Sequence, residues 1–100
     1  MIRNYTDENV MECPSCGGGY LRHNSVEVFV REEDADDGLH VVVECESPKS
    51  CKINGEMFGN ISGRRGSIRI EFQCETCGEK ALLEIVQHKG MVYKFVGSKY

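Results

Sequence analysis

Ser67-Ile68-Arg69-Ile70-Glu71-Phe72-Gln73-Cys74-Glu75-Thr76-Cys77-Gly78 is the stretch that decides the fold. Its first eight residues alternate, with Ile68, Ile70, Phe72 and Cys74 on one side of an extended chain and Arg69, Glu71 and Gln73 on the other. A period of two is the signature of a β-strand with unlike faces. The last residue on the apolar side is a cysteine, so the strand feeds Cys74 directly into a tight turn shared with Cys77.

The same turn occurs once more, at Cys13-Pro14-Ser15-Cys16-Gly17. Two residues between cysteines let both sulfurs point into one turn, and the glycine that follows supplies a permissive backbone. Four thiolates from two such turns make a complete tetrahedral shell for a zinc ion. Two other readings compete with this one. Buried free thiols need no such spacing, and a thioredoxin-like redox pair needs a helix starting at one of the turns. The residues after Cys16 and Cys77 do not begin a convincing helix. Cys45 and Cys51 fit no standard knuckle, and three readings of them stay open: a disulfide, two free thiols, or half of a second metal site completed by a histidine such as His40.

Outward from these turns the pattern stays β. Ser25 to Arg31 alternates around Val26, Val28 and Val30, with Phe29 on the other side. Leu39 to Cys45 reads as the next strand, reached through an acidic loop from Glu32 to Asp37 and a turn at Asp37-Gly38. Residues 46–66 read as an irregular excursion with at most a short strand around Ile53 or Met57-Phe58. Lys80 to Gln87 and Met91 to Val96 pair across His88-Lys89-Gly90. The expected fold is mostly β, with antiparallel hairpins clasped by a zinc-ribbon-like four-cysteine site. Its expected organisation is a tail over residues 1–12 and a single zinc-bound β domain over 13–97.

The chain has 100 residues and a net charge of −4, unevenly spread. Residues 1–50 hold 4 Lys and Arg against 11 Asp and Glu, and residues 51–100 hold 8 against 5. An acidic excess opposes tight non-specific binding to nucleic acid, which rests on many cationic phosphate contacts. The basic second half leaves room for a local patch at Arg64, Arg65, Arg69 and Lys89. Tyr20, Phe29, Tyr93 and Phe95 are the aromatics that could stack on bases, although strand aromatics usually serve a core. No stretch has the length of a membrane span, and the first residues lack the apolar run of a signal peptide. Those features, with cysteines available as ligands, make a cytoplasmic location the expectation.

Two Cys-x-x-Cys-Gly knuckles feeding strands resemble the zinc-ribbon class, in which each knuckle tops a hairpin and the hairpins meet at the metal. The resemblance rests on Cys13, Cys16, Cys74 and Cys77. The 57 residues between Cys16 and Cys74 are long for a minimal ribbon, so at least one extra hairpin is inserted and a larger sheet or sandwich is implied. The chain is also similar to a set of small bacterial and phage-borne proteins. That similarity is carried by the Cys-Pro-x-Cys-Gly start, by Val26-Glu27-Val28-Phe29, by Arg64-Arg65 through Cys77 and by Gln87 to Gly90. It spans most of residues 13–95 and implies no activity.

The function expected from these residues is that of a binding or adaptor module built around one structural zinc. Its partner would be a protein, nucleic acid or a second copy of the chain, with no membrane. A closed shell of four cysteines has no position for a reactive water. His23, His40 and His88 form no recognisable catalytic pattern, and no phosphate-binding glycine loop is present, so an enzyme is not expected. The alternatives are a nucleic-acid-binding ribbon using the Arg64, Arg65 and Arg69 region, and a metal-handling protein in which Cys45 and Cys51 exchange the ion.

Overall fold

A computed structural model describes residues 3–98. Six strands form one sheet: β1 (Leu21–Val30), β2 (Leu39–Glu44), β3 (Ser50–Asn54), β4 (Ser67–Cys74), β5 (Lys80–His88) and β6 (Met91–Ser98). Every pairing is antiparallel, and the order across the sheet is β3-β2-β1-β4-β5-β6. One 3-10 turn, Asp7–Asn9, precedes the first knuckle. No helix among the described residues is long and apolar enough to cross a membrane.

The expectation of antiparallel hairpins with a cluster of four cysteines holds, and β4 has the bounds its alternation predicts. The 46–66 excursion does hold a short strand at Ile53, and Met57-Phe58 lies outside it in a turn region. β1 starts four residues earlier than its valine pattern suggests. The reason is a bulge: Ser25 pairs with Glu71 and His23 with Phe72, leaving Asn24 as an extra residue. The bulge inverts the alternation before Ser25, which hides the first part of the strand from a period-two reading. The Asn24 carbonyl accepts the Cys45 N–H at 2.8 Å.

Of the two larger architectures implied by the long insertion, the chain adopts the single sheet. Contacts between elements run only between strands adjacent in the sheet. Because directly opposed residues share a face, the register sorts the side chains. One face holds Val26, Val28, Val41, Ile68, Ile70, Phe72, Leu83 and Ile85 along its centre. The opposite face holds Glu27, Phe29, His40, Arg69, Glu71, Leu82 and Glu84. The first we call the apolar face and the second the polar face.

A small core sits on the polar face at the end away from the cysteines. Phe29 is only 3% exposed and stacks on the His40 ring, with centroids 4.2 Å apart and planes within 4°. The loop between β3 and β4 closes over it. Ser62 is buried there and donates its hydroxyl to the Gln87 carbonyl at 2.6 Å, and Ser67 donates to Asn60 Oδ1 at 2.7 Å. Gly66 is required at this point: a Cβ there would run into the Phe29 carbonyl oxygen, a backbone atom with no freedom to move aside.

Candidate metal centre

The two cysteine turns arrive at one place because of strand order. β1 leaves the first knuckle and β4 enters the second, and the two strands are antiparallel neighbours at the centre of the sheet. Leu21 lies opposite Cys74, so both knuckles stand at the same end of that pair. The backbone joins them as well, through the Glu75 N–H to the Tyr20 carbonyl at 2.9 Å.

The knuckles are near copies of each other. Gly17 N–H donates to the Cys13 carbonyl at 2.8 Å, and Gly78 N–H to the Cys74 carbonyl at 3.1 Å. Cys13 N–H donates to the Gly18 carbonyl at 2.8 Å, and Cys74 N–H to the Glu79 carbonyl at 3.0 Å. Gly17 and Gly78 adopt φ of 78° and 79°, the left-handed region in which a side chain would be strained. In the zinc-ribbon pattern both knuckles top hairpins. Here the second joins β4 to β5, and among the described residues no strand precedes the first.

The Sγ atoms of Cys13, Cys16, Cys74 and Cys77 all lie within 4.8 Å of one another. Cys13 and Cys77 are 3.7 Å apart at sulfur, and Cys16 and Cys74 are 3.6 Å apart. A regular tetrahedron with metal–sulfur bonds of about 2.3 Å has edges of about 3.8 Å. The donor set therefore fits a tetrahedral thiolate-bound ion, with Cys13 and Cys74 buried and Cys16 and Cys77 toward solvent. Ser15 N–H points at Cys13 Sγ (3.4 Å), Gly18 N–H at Cys16 Sγ (3.4 Å) and Cys77 N–H at Cys74 Sγ (3.5 Å). Such N–H groups stabilise negative sulfur and hold the ligands in place.

Their effect on the free thiols is uneven. The Cys77 N–H holds Cys74 down to about 6, aided by Thr76, against the opposing effect of burial. The N–H groups of Cys16 and Ser15 lower Cys13. Cys77 is pushed up to about 12: its Glu79 N–H lowers it, but burial and the Cys16, Cys74 and Cys13 sulfurs outweigh that bond. Cys16 is raised in the same way, with the Gly18 N–H opposed by the Cys74 sulfur and by burial. Four sulfurs this close do not carry four charges without a cation, so metal uptake must expel protons.

Cys45 and Cys51 take no part in this cluster, and both are free thiols. The second-site reading with His40 fails on register. Cys51 opposes Val43 on the apolar face, whereas His40 opposes Asn54 on the polar face. His40 contacts Glu27 Oε2 at 2.8 Å and Asn54 Oδ1 at 3.2 Å.

The basic candidates are scattered. Arg64 makes a two-pronged ion pair with Asp34, at 3.2 and 3.0 Å, which ties the acidic loop to the glycine-bounded loop. The Arg64 guanidinium holds the Asp34 carboxyl below its ordinary range. Arg69 lies on the polar face between Glu84 (3.0 Å) and Glu27 (3.5 Å). Arg65 is exposed, and Lys89 sits at φ 51° in the β5–β6 turn. Among the aromatics, Phe29 is core, Tyr20 is exposed beside the knuckles, and Tyr93 and Phe95 stack on each other at 6.4 Å on β6.

The sequence reading missed the His40–Glu27–Arg69–Glu84 chain, which crosses four strands. Alternation alone puts Arg69 on the side of its strand away from Ile68 and Ile70, and Glu84 on the side away from Leu83 and Ile85, but their meeting depends on register. No family model matches this chain, and no curated protein or solved structure matches it either.

Proposed function

We propose that this chain is a structural-zinc β domain that works as a binding module. The observation that carries the reading is the closed four-sulfur cluster at the head of the central strand pair. All four tetrahedral positions are supplied by the chain, which leaves none for a substrate or an attacking water. Zinc suits four thiolates, and the alternative ion for the same donors is iron. A chain built this way offers its sheet and loops for contact and not its metal for chemistry. The nucleic-acid version has less behind it, because Arg64 and Arg69 already face carboxylates.

Two measurements test the proposal. Native mass spectrometry with elemental analysis is expected to show one zinc per chain and no iron. Two zinc ions of different affinity would favour metal handling instead. A photo-crosslinking residue at Val43, on the apolar face, is expected to yield adducts with a macromolecule. The same residue at Lys52, on the polar face of β3, is expected to yield far fewer. One zinc with no adducts from either position removes the binding role.

A further inference from the structure

No helix or strand among the described residues covers the apolar face. Its central row of Val26, Val28, Ile70, Phe72 and Leu83 is flanked by more exposed apolar positions: Ile53 is 67% exposed and Val92 66%. Val28, Val30, Leu39, Ile68, Ile85 and Val92 line a shallow hollow of about 750 Å³ at the end away from the knuckles, and Arg31, Glu32, Asp37 and Arg65 stand at its rim. Among the described residues no regular element packs across this face. The β3–β4 loop lies over the other one.

A sheet hydrophobic on one face buries that face against another layer. We infer that the missing layer is a second copy of this chain, packed face to face through the apolar surface. This rests on the binding-module reading and names its partner. Three features favour a second copy.

The first is charge. Across the paired strands this face carries no carboxylate, and its one lysine, Lys94, lies opposite Ile85 on edge strand β6. The strand positions offer a foreign partner little charge to select by, and the two cations and two carboxylates at the rim balance, so the face does not repel its own image despite the chain's net charge of −4. A twofold axis running along the strands places β6 of one copy over β3 of the other, which keeps the two Lys94 ammoniums at opposite edges.

The second is shape. Two identical sheets have the same twist, and sheets of equal twist stack at about −30° with interdigitating side chains. The third is area. Six strands at about 4.8 Å spacing and about 25 Å long give a flat projection of roughly 600 Å². The accessible surface of a side-chain relief exceeds its projection, which brings each copy near the roughly 800 Å² of a standard stable interface. Apolar contact of that size sustains a dimer at micromolar concentration or below.

Sedimentation analysis of the zinc-loaded chain from 1 to 100 µM, on the order of a standard interface's range, tests this. The expected species has twice the 11.3 kDa chain mass. Val43→Glu places a carboxylate on the apolar face at a position already partly exposed. It is expected to weaken self-association by about 100-fold or more, as a carboxylate buried without a partner must, with zinc content and circular dichroism unchanged. Lys52→Glu, on the polar face, is expected to leave the dimer intact. A chain that stays monomeric throughout overturns the inference. So does a dimer indifferent to Val43→Glu but lost on Phe95→Glu, which puts the contact on the β6 edge. A monomer that still crosslinks from position 43 to another macromolecule removes the second copy while the module reading stands. Absence of both removes the two together.

Discussion

The two faces of one sheet follow different rules here. The polar face satisfies itself within the chain. Its charges are paired in a row across four strands, and its most buried aromatic, Phe29, is capped by His40 and the β3–β4 loop. The apolar face has hydrophobic side chains from all six strands and, among the described residues, no regular element over them. The difference teaches that burial of Phe29 does not mark the side on which most of the hydrophobic surface lies. In this single-layer sheet the larger apolar surface is the one with no regular element over it among the described residues, and an ion held by the four cysteines would supply stability that a two-sided core otherwise supplies.

Preventing metal binding is expected to be the largest perturbation, because the four cysteines join the two knuckles at the head of the central strand pair. Cys74→Ser is expected to abolish stoichiometric zinc binding and to lower the melting temperature by more than about 20 °C, given about 4–8 °C per kcal/mol for a domain of this size. Differential scanning calorimetry with elemental analysis checks it. Acid is expected to do the same reversibly. Zinc requires thiolates and binds them in competition with protons, so it is expected to be held at neutral pH and released as acid protonates the four sulfurs. A chelating dye follows the release. Zinc uptake near neutral pH is expected to expel protons, since Cys77 is otherwise held up at about 12. Calorimetry in two buffers of different ionisation enthalpy reads the proton count.

Substitutions on opposite faces separate the two rules. Ile70→Ala, at the centre of the apolar face, is expected to cost about 2–4 kcal/mol with the faces paired. On the second-copy proposal part of that burial comes from the partner, so the loss should shrink on dilution. Arg69→Ala, on the adjacent residue of the same strand, leaves Glu27 and Glu84 without their shared cation. It is expected to cost about 1–2 kcal/mol, the same at every protein concentration. Urea unfolding at two chain concentrations compares them, and equal concentration dependence would erase the contrast. The smallest effect belongs to the loops. Arg64→Ala removes the exposed pair with Asp34, and its melting temperature should fall least of the set. The Asp34 carboxyl sits below its unfolded value, so the pair's contribution is present above that value and is lost as pH falls through the folded one. Thermal melts of wild type and Arg64→Ala should therefore converge in acid.

Much of this was legible in the sequence where the signal is local. The β4 alternation and the two cysteine turns carry their own geometry, so strand bounds and ligand set follow from spacing. What stayed hidden depends on register. Asn24 shifts the phase of β1, and no composition rule marks it as an extra residue. Arg64 and Arg69 look alike as free basic residues until the loops and strands bring Asp34, Glu27 and Glu84 to them. His40 and Cys51 are compatible co-ligands on paper, and only the β2–β3 pairing shows that they point to opposite sides.

The strand order has one more consequence. Residues before the long loop form β1, β2 and β3, and residues after it form β4, β5 and β6, so the sheet is two three-stranded meanders abutting along β1 and β4. Each half of the chain brings two of the four sulfurs. Viewed this way an ion held there would be the rivet between two half-proteins. Polypeptides separated at the fully outlying Phe58 (95% exposed) should reassemble when zinc is added and drift apart when it is withdrawn.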